Sequence, residues 1–196
     1  MASKIKRLES AIAAMDAVNA MDPQSAHWDG REGPRELLFT RCVYQWVSQL
    51  DRDPSEALLL AARAHTLSRW EVPRSAYPMN TPGYHEWRDA CAAHHAKVAA
   101  TILREQGYDH PIVDQVVALI LKKNWPSDPQ ARTLEDADCL AFLEMKLVSY
   151  VDEWEADKAI KILRRTLRKM TPQARELAAS IDLDPRAADL LRKAMG

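Results

Sequence analysis

Three polar side chains stand at positions where the helical pattern of the sequence predicts apolar ones. His65 lies one turn after Ala61, His95 lies in the middle of an apolar stripe, and Asp138 lies one turn after Leu134. Residues three or four positions apart share one face of a helix, so all three side chains are predicted to point inward. An isolated charge is costly to bury, and an inward aspartate therefore needs a partner, a metal ion or a proton.

Two imidazoles and a carboxylate that converge from three helices would suit a divalent metal ion. These residue types do not distinguish zinc, manganese, iron and magnesium. Asp136 on the same predicted helix and His94 beside His95 are alternative ligands. A structural interpretation also stands, because an inward histidine often hydrogen-bonds a carbonyl and an inward aspartate often caps a helix or pairs with an arginine.

A dense run of arginines and aromatic residues, SRWEVPRSAYPMNTPGYHEWR at 68–88, connects the two predicted histidine helices. Guanidinium groups bind phosphate or carboxylate, and aromatic rings offer faces on which a base or a sugar stacks. The candidate substrate-binding residues are Arg69, Trp70, Arg74, Tyr77, Tyr84 and Arg88, with Lys122 and Asn124 as further anion contacts. In the alternative, the segment is a compact loop whose aromatics fill the core and whose arginines pair with nearby carboxylates.

Helix punctuation predicts the elements that position these residues. A capping side chain before a proline, a frequent helix start, occurs at Asp53–Pro54, Asp128–Pro129, Thr171–Pro172 and Asp184–Pro185. The apolar period then predicts helices near 4–21, 35–50, 54–69, 84–106, 111–124, 129–153, 155–170, 172–180 and 185–194. The polar loop 22–34 is predicted to be the flexible piece. The fold class is therefore all-α, a single helical-bundle domain over residues 1–196.

Composition limits the function classes. The 196 residues are 47% hydrophobic and 28% charged with a net charge of −1, so no global field recruits nucleic acid or an anionic membrane. The apolar runs are too short to cross a bilayer, and the N-terminus lacks the pattern of a signal peptide. We expect a cytoplasmic protein with an anionic small molecule as its ligand, and a homodimer is compatible with the sequence. The three scattered cysteines are expected to be reduced, buried thiols.

The order of the inward residues resembles the HD-domain metal-dependent phosphohydrolases. In that superfamily a helix ends in His-Asp, a later helix supplies another His, and an Ala-Asp-x-Leu segment supplies the last Asp. His65, His95 and the segment ADCL at 137–140 follow this order. The resemblance implies an HD-domain-like helical fold, a metal ion on these side chains and hydrolysis of a phosphorylated substrate. The chain departs from the pattern at Thr66, where the signature Asp is expected, and lacks the earlier His near Thr40.

A second resemblance covers nearly the whole chain. The phrases ALLLAARAH, RWEVPRSAYPM, GYHEWR, KKNWPSDPQARTLED and ILRRTLRKM resemble a bacterial and fungal family called domain of unknown function 4202. That family often reads Gln-His where this chain has His65-Thr66, and its acidic motif centres on Asp136, so Asp136 and Asp138 remain alternatives. This resemblance implies a fold and a site but no reaction.

Three function classes follow from these patterns. The first is a metal-dependent phosphohydrolase that acts on a nucleotide-like or phosphorylated small molecule. The second is a binding or sensor protein for an anionic small molecule, built on an HD-like scaffold that has lost catalysis. The third is a helical interaction module. Bound metal would favour the first, stabilisation by a ligand without metal the second, and neither result the third.

Overall fold

The computed structural model describes residues 2–151 and 155–196, and it is 73% helical. Its α-helices are α1 (Ala2–Asn19), α2 (Arg35–Leu50), α3 (Glu56–Ala64), α4 (Thr81–Glu105), α5 (His110–Ile120), α6 (Pro129–Ala141), α7 (Leu147–Val151), α8 (Ala156–Lys169), α9 (Pro172–Ala179) and α10 (Pro185–Met195). A π-helical segment, Phe142–Lys146, joins α6 to α7, and two 3-10 turns, Arg69–Glu71 and Arg74–Ala76, lie between α3 and α4. The all-α prediction is confirmed.

The predicted loop 22–34 is instead an antiparallel hairpin of β1 (Ser25–Trp28) and β2 (Arg31–Pro34). Asp29 and Gly30 form its turn with φ of 52° and 70°, left-handed conformations that a two-residue hairpin turn requires. The Trp28 indole Nε1 donates a hydrogen bond of 2.7 Å to Glu144 and so ties the hairpin to the helices. The structure therefore corrects the prediction of a flexible loop.

Three of the four predicted helix starts are confirmed. Asp128, Thr171 and Asp184 each accept a hydrogen bond from a backbone N–H in the first turn of α6, α9 and α10. The fourth prediction is wrong, because the cap of α3 is Ser55, whose hydroxyl accepts from Leu58 N at 3.1 Å. A serine that can bond the third residue of the helix outcompetes the earlier Asp-Pro pair.

Several helices end earlier than the sequence pattern predicts, and two of these ends matter for the site. α3 ends at Ala64, so His65 lies at the helix boundary rather than inside the helix. α5 ends at Ile120, so Lys122 lies in a turn. α4 begins earlier than predicted, at Thr81, and Gly107 ends it in a left-handed conformation with φ of 76°.

A continuous buried apolar cluster runs from Ala11 on α1 to Ala194 on α10. α2 packs against both α3 and α6, α4 packs along α5, and α8 packs on α10. Cys42, Cys91 and Cys139 are all buried and free, as expected for reduced thiols. This packing brings the first turn of α2, the end of α3 and the middle of α6 together. In the described part of the chain, no helix combines the length and the apolarity needed to cross a membrane.

Candidate functional site

His65 and Asp138 form the centre of the candidate site. The Nε2 atom of His65 lies 3.0 Å from Asp138 Oδ1, which joins the end of α3 to α6. Burial alone would raise the pKa of the Asp138 carboxyl, but His65 and Lys122 hold that pKa well below its usual range. Two of the predicted site residues therefore meet directly, and the aspartate is ionised.

Lys122 supplies the cation on the second side of this carboxylate. The Nζ atom of Lys122 lies 3.6 Å from Asp138 Oδ2 and also contacts Glu135. Burial lowers the pKa of the ammonium, but Asp138 and Glu135 raise it by more, so it stays charged. The second oxygen of Glu135 accepts from Lys169 of α8 at 3.1 Å. The early end of α5, with Lys122 at φ of 53°, places this lysine against α6.

Arg88 of α4 completes the surroundings of Asp138. Burial lowers the pKa of its guanidinium, but the contact with Tyr84 and the charge of Asp138 raise it above its ordinary value. Arg88 is half-buried, whereas Tyr84 is 42% exposed. Arg88 therefore lies close enough to Asp138 to bias its ionisation, and Tyr84 lies at the solvent edge. The role of Arg88 as a contact of a bound anion stays a prediction.

A second buried carboxylate, Glu36, lies in the first turn of α2. Its side chain is fully buried, and Arg35 Nη2 lies 3.1 Å from its Oε1 atom. Burial alone would raise the pKa of Glu36, but the charges of Lys146 and Arg69 lower that pKa by more, so the carboxyl is ionised. Lys146 in turn lies 3.5 Å from the ring centroid of Phe39, and burial lowers the pKa of its ammonium. Two cations and a carboxylate thus share a low-dielectric space beside α2.

Three residues of the site, Glu36, Lys146 and Glu135, have no signal in the sequence pattern. Glu36 resembles the acidic residue that commonly opens a helix, and so its burial has no sequence signal. Lys146 lies in the π-helical segment, where each turn holds an additional residue, so the face that points inward shifts along the chain. A 3.6-residue period assigns the inward position to Met145 instead. A π-helical segment beside buried charges is itself a frequent mark of a functional site.

The segment between α3 and α4 uses its arginines mainly to hold itself together. Arg74 donates to the carbonyl oxygens of Tyr77 at 3.0 Å and Pro78 at 2.7 Å. Arg69 lies over the ring of Trp87 at 4.7 Å from its centroid. Arg74 is therefore a structural contact in this arrangement, whereas Arg69 also faces the buried charges beside Glu36.

The remaining predicted contacts lie around this segment rather than at the buried charges. Trp70 and Tyr77 are half-buried. Asn124 is exposed in the turn after α5, and its carbonyl oxygen accepts from Asp128 N at 3.0 Å. The structure thus gives Asn124 a role in shaping the entry to α6. Its role as an anion contact stays a prediction.

His95 and His94 have different surroundings. His95 is 2% exposed, and its Nδ1 atom lies 2.7 Å from the carbonyl oxygen of Leu67. Burial lowers the pKa of His95 to about 3, so its imidazole is neutral. His94 is half-buried, with Nε2 at 2.8 Å from Ser68 Oγ and 3.3 Å from Glu71. His95 is therefore the inward histidine of the pair, as the helical period predicted.

Asp136 does not join the site. Its two carboxylate oxygens accept from the backbone N–H of Thr171 at 2.9 Å and from the Thr171 hydroxyl at 2.5 Å. Burial raises the pKa of this carboxyl. Asp136 thus fixes the start of α9, which is the structural role that the sequence left open for an inward aspartate.

Two open cavities lie outside the charge cluster. One of about 560 Å³ adjoins Asp136 and Thr171. The other, of about 890 Å³, lies between α8 and the end of α10, with a basic wall of Lys161, Arg164, Arg165, Arg168 and Arg175. Size alone does not mark the site, because neither cavity is lined by Glu36, His65 or Asp138, where the interacting charges of the cluster lie.

The predicted metal ligands do not form a coordination set as they are arranged. In the described part of the chain, no three His, Cys, Asp or Glu side chains converge as ligands. The oxygens of Asp138 already face an imidazole and an ammonium, and Asp136 is engaged by Thr171. The divalent ion stays a prediction, and no chemical step below depends on it.

Fold and site together define an all-helical protein with a buried, cation-rich charge cluster where α2, α3, α4 and α6 meet. The chain belongs to the family described as Domain of unknown function (DUF4202), whose profile matches residues 9–191. Comparisons with curated proteins and with solved structures gave no match. The family resemblance is thus confirmed, whereas the more distant resemblance to HD-domain phosphohydrolases stays a prediction.

Proposed function

We propose that this protein binds an anionic small molecule, nucleotide-like or otherwise phosphorylated, at the charge cluster around His65, Glu36 and Asp138. The observation that supports the proposal is an excess of cations in a largely buried space. Among the described residues, four carboxylates lie among six cationic side chains. The carboxylates are Glu36, Glu135, Asp138 and Asp22, which accepts from the Glu36 N–H at 3.0 Å, and the cations are Arg35, Arg69, Arg88, Lys122, Lys146 and Lys169. An added anion would balance this charge.

The chemistry of these cationic side chains favours a phosphate group as the ligand. Arg69 and Arg88 carry planar forks of N–H donors that match an oxyanion, and Lys122 and Lys146 act as point charges. Burial of these groups strengthens each contact, because water screens it less. A ligand that neutralises two half-buried cations would therefore bind more tightly than a ligand on an exposed basic surface.

Hydrolysis of a phosphate ester is the second candidate function. The pair of His65 and Asp138 at 3.0 Å has the geometry of an imidazole oriented by a carboxylate, which suits proton transfer. Binding and hydrolysis share the same ligand class, so one experiment can examine both. The metal content of the purified protein is measured in parallel, because bound metal would favour the phosphohydrolase.

The test is a melting screen in phosphate-free buffer with nucleotides and sugar phosphates, each with and without divalent ions. A ligand at a hundredfold its dissociation constant would stabilise the wild type by about 2.7 kcal/mol. Lys122→Gln should weaken binding about 10- to 100-fold, because it removes a charged donor of about 1.5–3 kcal/mol. Each shift is measured against the melting temperature of the same variant without ligand.

Lys123→Gln is the matched control, since Lys123 is the adjacent lysine and is exposed. It should keep the affinity of the wild type. Equal losses in Lys122→Gln and Lys123→Gln would show that only net charge matters and would contradict a defined site. If no anion stabilises the wild type, the proposal fails and the interaction module is favoured. Release of phosphate from a bound ester would establish the second candidate.

A further inference from the structure

Three consecutive residues after α3 connect the buried groups of the charge cluster. His65 contacts Asp138, the Thr66 side chain lies at Glu36 and lowers its pKa, and the Leu67 carbonyl accepts from His95. The tripeptide His65–Leu67 thus brings α2, α4 and α6 to one point. Any polar atom around this tripeptide that lacks a hydrogen-bond partner therefore lies within the charge cluster.

Four side-chain atoms of this cluster are buried without a hydrogen-bond partner among the described residues. They are Glu36 Oε2, His65 Nδ1, Thr66 Oγ1 and His95 Nε2. An unpaired buried polar atom is destabilising, so native proteins rarely leave several in one place. Their grouping calls for hydrogen-bonding partners that come from outside the chain.

The chemistry of two of these atoms, His95 Nε2 and Glu36 Oε2, identifies the partner they need. A carbonyl only accepts, so the Nδ1 atom of His95 carries the proton and its Nε2 atom presents a lone pair. Glu36 is ionised and also only accepts. His95 Nε2 and Glu36 Oε2 therefore both require hydrogen-bond donors.

The surrounding charges narrow the kind of donor. Arg69 lies near both Glu36 and His95, and Lys146 lies near Glu36, so an ammonium donor would be repelled. Arg69 lies over the Trp87 ring at 4.7 Å from its centroid, and the indole N–H donates to the Val72 carbonyl at 2.8 Å, so this ring is already engaged within the protein. Neutral hydroxyl groups satisfy the acceptors without these conflicts.

We propose that the ligand is a polyhydroxylated phosphate ester, such as a sugar phosphate or polyol phosphate. Its phosphate lies on the cluster's arginines and lysines, and its hydroxyls donate to Glu36 Oε2 and His95 Nε2. This assignment rests on the anion-binding function proposed above and narrows its ligand class. Discrimination follows from it, because a ligand that lacks the hydroxyls would leave the two buried acceptors unpaired.

The experiment compares four probes by calorimetry: inorganic phosphate, methyl phosphate, glycerol 3-phosphate and glucose 6-phosphate. The two hydroxylated esters should bind about 10- to 100-fold more tightly than methyl phosphate, since each donates to an ionised or buried acceptor. In His95→Asn the donor to the Leu67 carbonyl is kept and the second acceptor is lost. Its preference for glucose 6-phosphate should fall about tenfold, while its affinity for methyl phosphate stays the same.

His94→Asn is the matched control, because His94 already contacts Ser68 and Glu71 and should not affect the preference. Glu36→Gln is a second variant, in which a neutral amide replaces the carboxylate that accepts from a ligand hydroxyl. Equal binding of methyl phosphate and the hydroxylated esters by the wild type would overturn the assignment and leave anion binding intact. Absence of binding by all four probes would overturn both proposals. The comparison of the four probes on the wild type tests the proposal even if a variant does not fold.

Discussion

The buried, neutral state of His95 predicts a specific dependence of stability on pH. Burial lowers the pKa of His95 to about 3 in the folded chain, against 6.5 when it is not perturbed. Between these values the unfolded chain binds a proton that the folded chain does not, so stability is complete above pH 6.5 and falls as the pH is lowered. Each pH unit inside this window is worth about 1.4 kcal/mol. Lowering the pH from 7 to 5 should therefore cost about 2 kcal/mol.

This window separates His95 from the buried carboxylates. The pKa values of Glu36 and Asp138 are also lowered, but their ordinary values are 4.5 and 3.8, so their stabilisation is lost only below those values. The raised pKa of Asp136 acts in the opposite direction, because the folded chain then holds a proton that the unfolded chain has released. Loss of stability between pH 7 and 5 therefore reports on His95.

Urea denaturation at pH 7, 6 and 5 measures the effect in the wild type, His95→Asn and His94→Asn. The His95→Asn protein should be less stable at pH 7, because the cavity and the lost packing remain, but its slope against pH should be nearly flat. His94→Asn should keep the slope of the wild type. A wild-type slope that survives in His95→Asn would show that another group titrates, and the assignment of a buried neutral imidazole would be refuted.

Two further substitutions examine the packing around the site. Gly83→Ala in the first turn of α4 should destabilise the fold by about 1–3 kcal/mol in urea denaturation, because the added Cβ would lie 2.3 Å from the Pro78 carbonyl oxygen. Alanine usually stabilises a helix, so an unchanged or higher stability would contradict this close approach. Asp136→Asn should lower stability by about 1–3 kcal/mol, because its hydrogen bonds to Thr171 are weakened. Any melting shift caused by a ligand should stay unchanged, and loss of that shift would show that Asp136 belongs to the ligand site.

The sequence predicted the helices and the inward faces because both are local properties. The capping residues Asp128 and Thr171 lie beside the turns that they fix, so their roles depend on a few neighbours. The hairpin was missed although Asp29-Gly30 is a recognised turn signal and Ala26 and Trp28 alternate with exposed residues in β1, because each strand is only four residues long and β2 has no apolar alternation. Local signals therefore gave the elements and failed where an element was short and polar.

The composition of the site could not be predicted in the same way, because it depends on contacts between distant residues. The sequence treated His65, His95 and Asp138 as three equivalent inward groups. The structure pairs His65 with Asp138 and gives the Nδ1 atom of His95 to the Leu67 carbonyl, so only two of the three meet directly. The carboxylate of Glu36 gave no signal, since its burial depends on how the end of α3 packs on α2.

The backbone at the edges of the charge cluster supports a functional rather than a purely structural origin. Ser68 and Lys122 both adopt left-handed conformations, with φ of 45° and 53°, although neither is a glycine. Ser68 is held there by a bond from its N–H to Asn19 Oδ1 at 3.1 Å, and Lys122 by its ammonium contacts with Glu135 and Asp138. Replacement of a buried ion pair by apolar residues of similar volume is often neutral or stabilising, so stability alone does not explain these buried charges. Conformational strain, unpaired acceptors and excess positive charge instead occur together around His65, and a bound anion with hydroxyl groups would compensate the last two at once.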